Sequence, residues 1–275
     1  MRLLLVLLLS AGAACAESSA RYLANAGVLV THGDTKIVFD PLFRESYGQY
    51  ELLPDDMRQA LFAGRPPFEN LDAVLVSHYH NDHFSPEATL QLLQAHAGLT
   101  LYAPAQAVSA MAAVAEPGDD RIFERVVAIE LQYRQAPVLI EAGQLVVEAV
   151  RIPHSGWPDS RSEVQNIAFR VTLDDEATVV HLGDADTSDS HFSQDPDFWS
   201  RRHTDIAFPP YWFFLSGSGR KVLLNRLRPG RAVGVHVPER VLDDPAARAG
   251  EMQGYDLFTE PGETRPLKPA EGGGG

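Results

Sequence analysis

The sequence predicts an α+β fold in which two mixed β-sheets pack face to face and helices cover their outer faces. Three observations carry that expectation. Short apolar runs of strand length are interspersed with helical stretches from Arg21 to Val235. The order of strands then helices occurs twice, without a repeat at solenoid period. No linker separates the two halves, which places them around one core. At 275 residues, 45% hydrophobic and 22% charged, the chain has enough apolar material for that core.

At the start, Met1-Arg2, the apolar run Leu3 to Leu9 and Ala14-Cys15-Ala16 read as a secretory signal peptide over 1–16, cleaved after Ala16. The run is too short for a membrane span, and no later segment reads as one. Cys15 offers a competing reading as a lipidated cysteine, but Gly12 stands where a lipoprotein signal usually has Leu. The expected location is the periplasm or the cell exterior. Residues 17–270 are expected to form one domain, and 271–275 a flexible glycine tail.

Arg21 to Leu23 and Gly27 to Val30 read as strands, His32-Gly33-Asp34 as a turn, and Lys36 to Phe39 as the returning strand. Leu42 to Asn70 is looser, with Pro54, Pro66 and Pro67 and a short helix near Asp55 to Phe62. The strand Ala73 to Val76 follows. Ser85 as N-cap, Pro86 and Glu87 start a helix that Gly98 is expected to stop. Thr100 to Tyr102 reads as a strand and Ala105 to Ala115 as a helix. Strands are then expected at Val126–Leu131, Val138–Glu141, Leu145–Ile152, Ile167–Leu173, Thr178–Leu182 and Ile206–Phe208. A helix over Arg220–Leu227, stopped by Pro229-Gly230, leads to a final strand at Ala232–Val235.

Charge and cysteine content narrow the chemistry. A net charge of -14 repels phosphate backbones and makes nucleic acid a poor partner. Cys15 is the only cysteine, so a mature chain would have no disulfide and no thiolate ligand. Any metal must be held by His, Asp, Glu or water.

The densest chemistry lies in Ser77-His78-Tyr79-His80-Asn81-Asp82-His83. Neutral imidazole and ionised carboxylate are natural ligands of zinc and related divalent ions. The cluster sits between a buried-looking strand and a helix start, which a chance His-rich surface loop would not. Further candidates stand at ends of apolar strands: His154 after Ile152-Pro153, Asp184 after Leu182-Gly183, and His236 after Gly234-Val235. Alone, each is an ordinary structural His or turn Asp.

Strand alternation turns His181 away from Asp184, alongside Val179, and suggests packing or support. Asp186 reads as loop capping. His32, His96, His191 and His203 read as partnerless surface residues. Trp157, Tyr211 and Trp212 lie close in sequence to the candidate ligands and are candidate substrate contacts. Tyr47, Tyr50 and Phe62 could form a lid.

In that order, H-x-H-x-D-H, then His, Gly-Asp and His, the chain resembles the metallo-β-lactamase superfamily. Tyr22-Leu23-Ala24-Asn25-Ala26-Gly27 with Val38-Phe39-Asp40-Pro41 resembles that superfamily's N-terminal hairpin, so matching motifs run from 21 to 236. The resemblance implies an αββα sandwich and a site for two divalent ions, Zn2+ first, with Mn2+ or Fe2+ as alternatives. It implies that His78, His80 and His154 hold one ion, that Asp82, His83 and His236 hold the other, and that Asp184 bridges them. Asp40 would support a ligand histidine from behind, and Asp82 would also take a proton or orient the nucleophile.

The implied reaction is hydrolysis of an ester, lactone or phosphoester in a small molecule by a metal-bridged hydroxide. A carboxylate at Asp184 points away from the β-lactamases proper, and the pattern resembles the L-ascorbate-6-phosphate lactonase-like branch. An iron-dependent oxidoreductase or dioxygenase on the same fold is the alternative, although the diiron electron-transfer members place Glu where His80 stands. A noncatalytic metal-binding homologue would be expected to have lost ligands.

Overall fold

The computed structural model describes residues 18–268 except 196, 243, 245, 247–249 and 251. The expected signal peptide 1–16 and tail 271–275 lie outside the described residues. The first sheet contains β1 (Ser18–Ala24), β2 (Gly27–His32), β3 (Thr35–Phe39), β4 (Ala73–Leu75), β5 (Thr100–Pro104) and β6 (Val126–Ile129). The second contains β7 (Val138–Ala142), β8 (Leu145–Arg151), β9 (Ile167–Leu173), β10 (Ala177–His181), β11 (Ile206–Phe208) and β12 (Arg231–Ala232). A last strand, β13 (Thr264–Pro266), returns to the first sheet, whose order is β13-β1-β2-β3-β4-β5-β6. The second sheet runs β12-β11-β10-β9-β8-β7. Both sheets mix parallel and antiparallel pairs.

Alternation along each strand builds the layers. Val28, Val30, Ile37 and Phe39 face the second sheet and meet Val171 and Val179, while Leu29 and Val38 point outward. Helices α1 (Asp55–Ala63), α2 (Pro86–Ala95) and α3 (Ala105–Val114) bury Leu61, Leu92, Leu93 and Met111 in that outer layer. On the second sheet, Val180 and Ala207 point outward against Phe192, Phe213 and Val222. The result is the αββα sandwich of the metallo-β-lactamase type.

Helix α2 starts as expected, with Ser85 Oγ accepting from Ala88 N at 3.4 Å and Pro86 at the first helical position. It ends earlier than Gly98. His96 adopts an extended backbone there, and its ring donates through Nε2 to Leu61 O at 2.8 Å. The helix expected at Arg220–Leu227 runs as Gly217–Val222 followed by a π-helical turn over Leu223–Leu227. The strand expected at Ala232–Val235 shortens to Arg231–Ala232. Beyond it the backbone makes single bridges, Pro210 with Val235 and Gly234 with Leu257. Gly234 needs its small size there, because a Cβ would lie 2.4 Å from Leu257 Cδ2.

Two ends of the sandwich differ in character. At one, hairpin turns from both sheets are tied together. Thr35 Oγ1 donates to Asp174 Oδ1 at 2.9 Å, and Asp174 N donates to Gln144 O at 2.8 Å. Asp174 and Asp175 both have positive φ (54° and 57°), the primed turn that suits strand twist. His32 is buried here, with Ser18 Oγ at 3.1 Å and Glu176 at 3.3 Å, so it is not a partnerless surface residue. The opposite end gathers the C-terminal ends of β3, β4, β8 and β10. No helix among the described residues is long and apolar enough to cross a membrane.

Candidate metal centre

Parallel pairing of β3 with β4 brings the residues after both strands to one rim, where Asp40 N donates to Leu75 O at 2.9 Å. The fully buried Asp40 carboxylate accepts three hydrogen bonds: Ser77 N at 2.7 Å, Ser77 Oγ at 2.6 Å and His83 Nδ1 at 2.9 Å. Donor logic then fixes two tautomers. An ionised carboxylate only accepts, so Ser77 spends its one hydroxyl proton on Asp40. Ser77 Oγ must therefore accept from His78 Nδ1 at 3.0 Å. Both His78 and His83 keep Nε2 for the inside of the site.

The second sheet is joined to this loop by Ile167 N donating to Ser77 O at 2.9 Å. Asn166 sits at the junction. Its Nδ2 donates to Ile152 O (3.1 Å) and Leu182 O (3.0 Å), and its Oδ1 accepts from Asp184 N (2.9 Å). Gly183, at φ +55°, lets the chain pass, since a Cβ would lie 2.4 Å from Asn166 Oδ1 and 2.6 Å from Ser77 Cβ. Asn25, from the first hairpin, donates through Nδ2 to Asp82 O at 2.8 Å, and its backbone carbonyl accepts from His236 N at 2.7 Å. Ser77, Asn166, Gly183 and Asn25 were not singled out from sequence as site residues. Only the αL-prone Gly-Asp and Asn-Ala pairs hint at two of them.

The seven candidate ligands converge in two neighbouring groups. One ligand atom each from His78, His80 and His154 lie within 4.8 Å of one another, and the same holds for Asp82, His83, Asp184 and His236. His78 Nε2 faces His80 Nδ1 at 3.1 Å. Asp184 stands between the groups. Its Oδ2 is 3.3 Å from His154 Nε2 and 4.0 Å from His78 Nε2, while its Oδ1 is 3.2 Å from His83 Nε2 and 3.3 Å from His236 Nε2. Asp82 Oδ2 lies 3.3 Å from His236 Nε2. His154 donates through Nδ1 to Ser155 O at 2.9 Å, which leaves Nε2 inward.

Electrostatics follow from burial and crowding. Burial, reinforced by His83, pushes the His78 imidazole well down; burial and then His154 push His80 down to about 4. His83 goes the other way. Burial opposes its charge, but Asp184, Asp40 and Asp82 outweigh that and hold it well up. Asp184 is held well below the usual carboxylate range despite burial, chiefly by His236 and His83.

The residues fit divalent cations. The Nε2 atoms of His83, His154 and His236 and Oδ1 of Asp184 are buried without a hydrogen bond, a costly state unless a cation satisfies them together. With protons alone, His83 must carry the charge that a metal would otherwise supply.

His181 lies outside the donor set. It stacks on Phe39 at 4.9 Å, donates through Nε2 to Ala26 O and accepts from Gly183 N, a neutral core imidazole. Asp186 caps its loop by accepting from Ser188 N at 2.8 Å. His191 is buried, with Tyr133 Oη at 2.8 Å and Asp186 at 3.4 Å, which corrects its expected surface position; His96 likewise has a partner, and His203, though exposed, lies 3.9 Å from Asp205.

A cavity of about 290 Å³ opens onto the ligands. Trp212 lines it, with its ring 5.4 Å from that of His236 and its Nε1 bonded to Ala185 O at 3.0 Å. Tyr211 packs on Trp212, and Trp157 packs between Tyr133 and His191; neither is among the lining residues. Tyr47 and Tyr50 line the mouth, whereas Phe62 packs in the helix layer.

Fold and donor set together define a metal-binding αββα sandwich. Residues 19–210 match the family described as Beta-lactamase superfamily domain, and the chain belongs to that superfamily. No curated protein matches the chain. Among solved structures, it is similar in fold to a possible metal-dependent hydrolase from Veillonella parvula DSM 2008 (TM-score 0.62, 16% identity, covering 91% of this chain and 100% of that one). It is also similar to isothiocyanate hydrolase from Delia radicum gut bacteria (0.58, 14%, 90% and 98%). A third is Igni18, a novel metallo hydrolase from the hyperthermophilic archaeon Ignicoccus hospitalis KIN4/I (0.57, 16%, 90% and 97%).

Proposed function

We propose that this chain is an exported metal-dependent hydrolase that cleaves an ester, lactone or phosphoester bond in a small molecule, using two divalent ions, zinc foremost. The observation that carries the reading is Asp184, whose two oxygens face the two histidine groups separately. His78 Nε2, His80 Nδ1 and His154 Nε2 would hold one ion, and Asp82, His83 and His236 the other, with Asp184 shared. When bound, the pair would supply a water of lowered pKa and polarise the bond under attack.

The chain's own groups do the rest. Asp82 borders the cavity, and Asn25 fixes its backbone, so its carboxylate is placed to accept a proton from the attacking water. Trp212 and the bed of Tyr50 confine what can approach His236. A shared carboxylate at Asp184 supports the lactonase-like branch over β-lactam cleavage. The modest cavity supports a small substrate, and the leader-like residues 1–16 support export.

Elemental analysis of purified protein, followed by a panel of chromogenic esters, lactones and phosphodiesters, tests this. The expected result is about two zinc equivalents and turnover that Ala at His80 or Asp184 abolishes. Tightly bound iron with oxygen consumption would instead favour an iron-dependent oxidoreductase or dioxygenase. Undiminished hydrolysis in both variants would remove the assignment.

A further inference from the structure

Among the residues lining the cavity, Arg161 is the cation. It comes from the loop after His154 and has a positive φ of 58°, a conformation that an ordinary side chain adopts at a cost. Its Nη1 donates to Ser155 O at 3.3 Å, the same carbonyl that accepts from His154 Nδ1. The guanidinium is thus tied to the first histidine group through one shared acceptor. Among the described residues that is its hydrogen bond, and it forms no ion pair, so most of its five donors remain for something else.

Two phenols stand with it at the mouth. Tyr47 and Tyr50 line the same cavity as Arg161, and the Tyr50 ring lies 4.1 Å from that of His236. A phenol hydroxyl, like a guanidinium, can donate a hydrogen bond to an anion. A strongly acidic protein that places a guanidinium and two phenols around one small cavity has the chemistry to bind an anion there.

Resting on the proposed hydrolase reading, we infer that the substrate carries a second, anionic group, a carboxylate or phosphate remote from the bond being cleaved, and that Arg161 binds it. Arg161 is a specificity-determining residue, and the substrate is an acid as well as an ester, lactone or phosphoester.

Two measurements test this with the metal-loaded protein. Calorimetry compares butyrate with glutarate, which adds a second carboxylate at the far end of a similar chain. The wild type is expected to prefer glutarate by ~10-fold or more, the usual worth of a charged hydrogen bond. Arg161→Gln should erase that preference while leaving butyrate binding unchanged. Turnover of matched neutral, carboxylated and phosphorylated esters then separates the two anion sources, with kcat/KM falling in the variant for the charged member it serves, through KM. Equal preference for butyrate and glutarate in the wild type, or equal losses on neutral and anionic esters, would overturn the inference. Failure of the wild type to hydrolyse any ester while still preferring glutarate would sink the hydrolase reading and leave the anion site standing.

Discussion

The Asp40 carboxylate accepts from His83 Nδ1 at 2.9 Å and so turns the opposite ring nitrogen toward Asp184. The same carboxylate reaches His78 through Ser77. Replacing Asp40 by Asn keeps its size but puts an NH2 group where an acceptor is needed. One of the three donors it now serves would face another donor, and His83 could shift its proton to Nε2. Metal affinity measured by calorimetry should fall about 10- to 100-fold. Unchanged affinity in a folded Asp40→Asn protein would show that the tautomers are set elsewhere.

Gly183 tests the closeness of the two sheets at this rim. In Gly183→Ala, the new Cβ meets Asn166 Oδ1 and Ser77 at less than contact distance, at a φ of +55°. A loss of roughly 3 kcal/mol is expected from strain and overpacking together. Chemical denaturation measures it, and a loss within about 0.5 kcal/mol would mean that the junction has slack.

Stability of the metal-free protein should depend on pH from both sides. His78, His80 and His181 are lowered by burial, so between 6.5 and lower pH the unfolded chain takes up protons that the folded one refuses. Their contribution is lost as pH falls below 6.5, and for His80 until about 4. His83 is raised by its carboxylates, so its contribution is full below 6.5 and is lost as pH rises through its folded value. Thermal melts of chelated protein across pH should therefore peak near 6.5. A profile that keeps rising into the alkaline range would contradict the state of His83.

Metal binding should shift that curve as a whole. Ligands that bind only the folded state stabilise it by about 4 kcal/mol at a thousand times Kd. Zinc at that excess should raise Tm on the order of 10 °C for a chain of this size, with protons released on binding at neutral pH. A chelator should reverse the gain, and a Tm indifferent to zinc would argue against a built metal site.

How much of this was legible in the sequence depends on how local each signal is. The strands of both sheets could be read because their apolar residues alternate or run unbroken. The cluster from His78 to His83 could be read because its donors are adjacent. β13 could not: Thr264-Arg265-Pro266 is short and largely exposed, and its pairing partner lies at the other end of the chain. Asn166 and Ser77 look like ordinary polar residues until the sheets meet. His32 and His191 look like surface residues in the sequence for the same reason, since Glu176 and Tyr133 approach only after folding. Trp212 lines the cavity, whereas Trp157 packs against Tyr133 and His191, contacts that exist only once the sheets have met.

The hairpin turns at the far end, joined by Thr35, Asp174 and Gln144, act like the spine of a book. Its covers are the two sheets, and the histidines and carboxylates lie along the fore-edge. Ions would work there as a clasp, so their removal should let the covers part from that edge while the spine holds. Hydrogen exchange on chelated protein would then quicken around 77–83 and 182–185 and stay slow at Asp174. An anchor or label attached beside the spine, at the exposed Gly143 turn, would leave the clasp free to open and close.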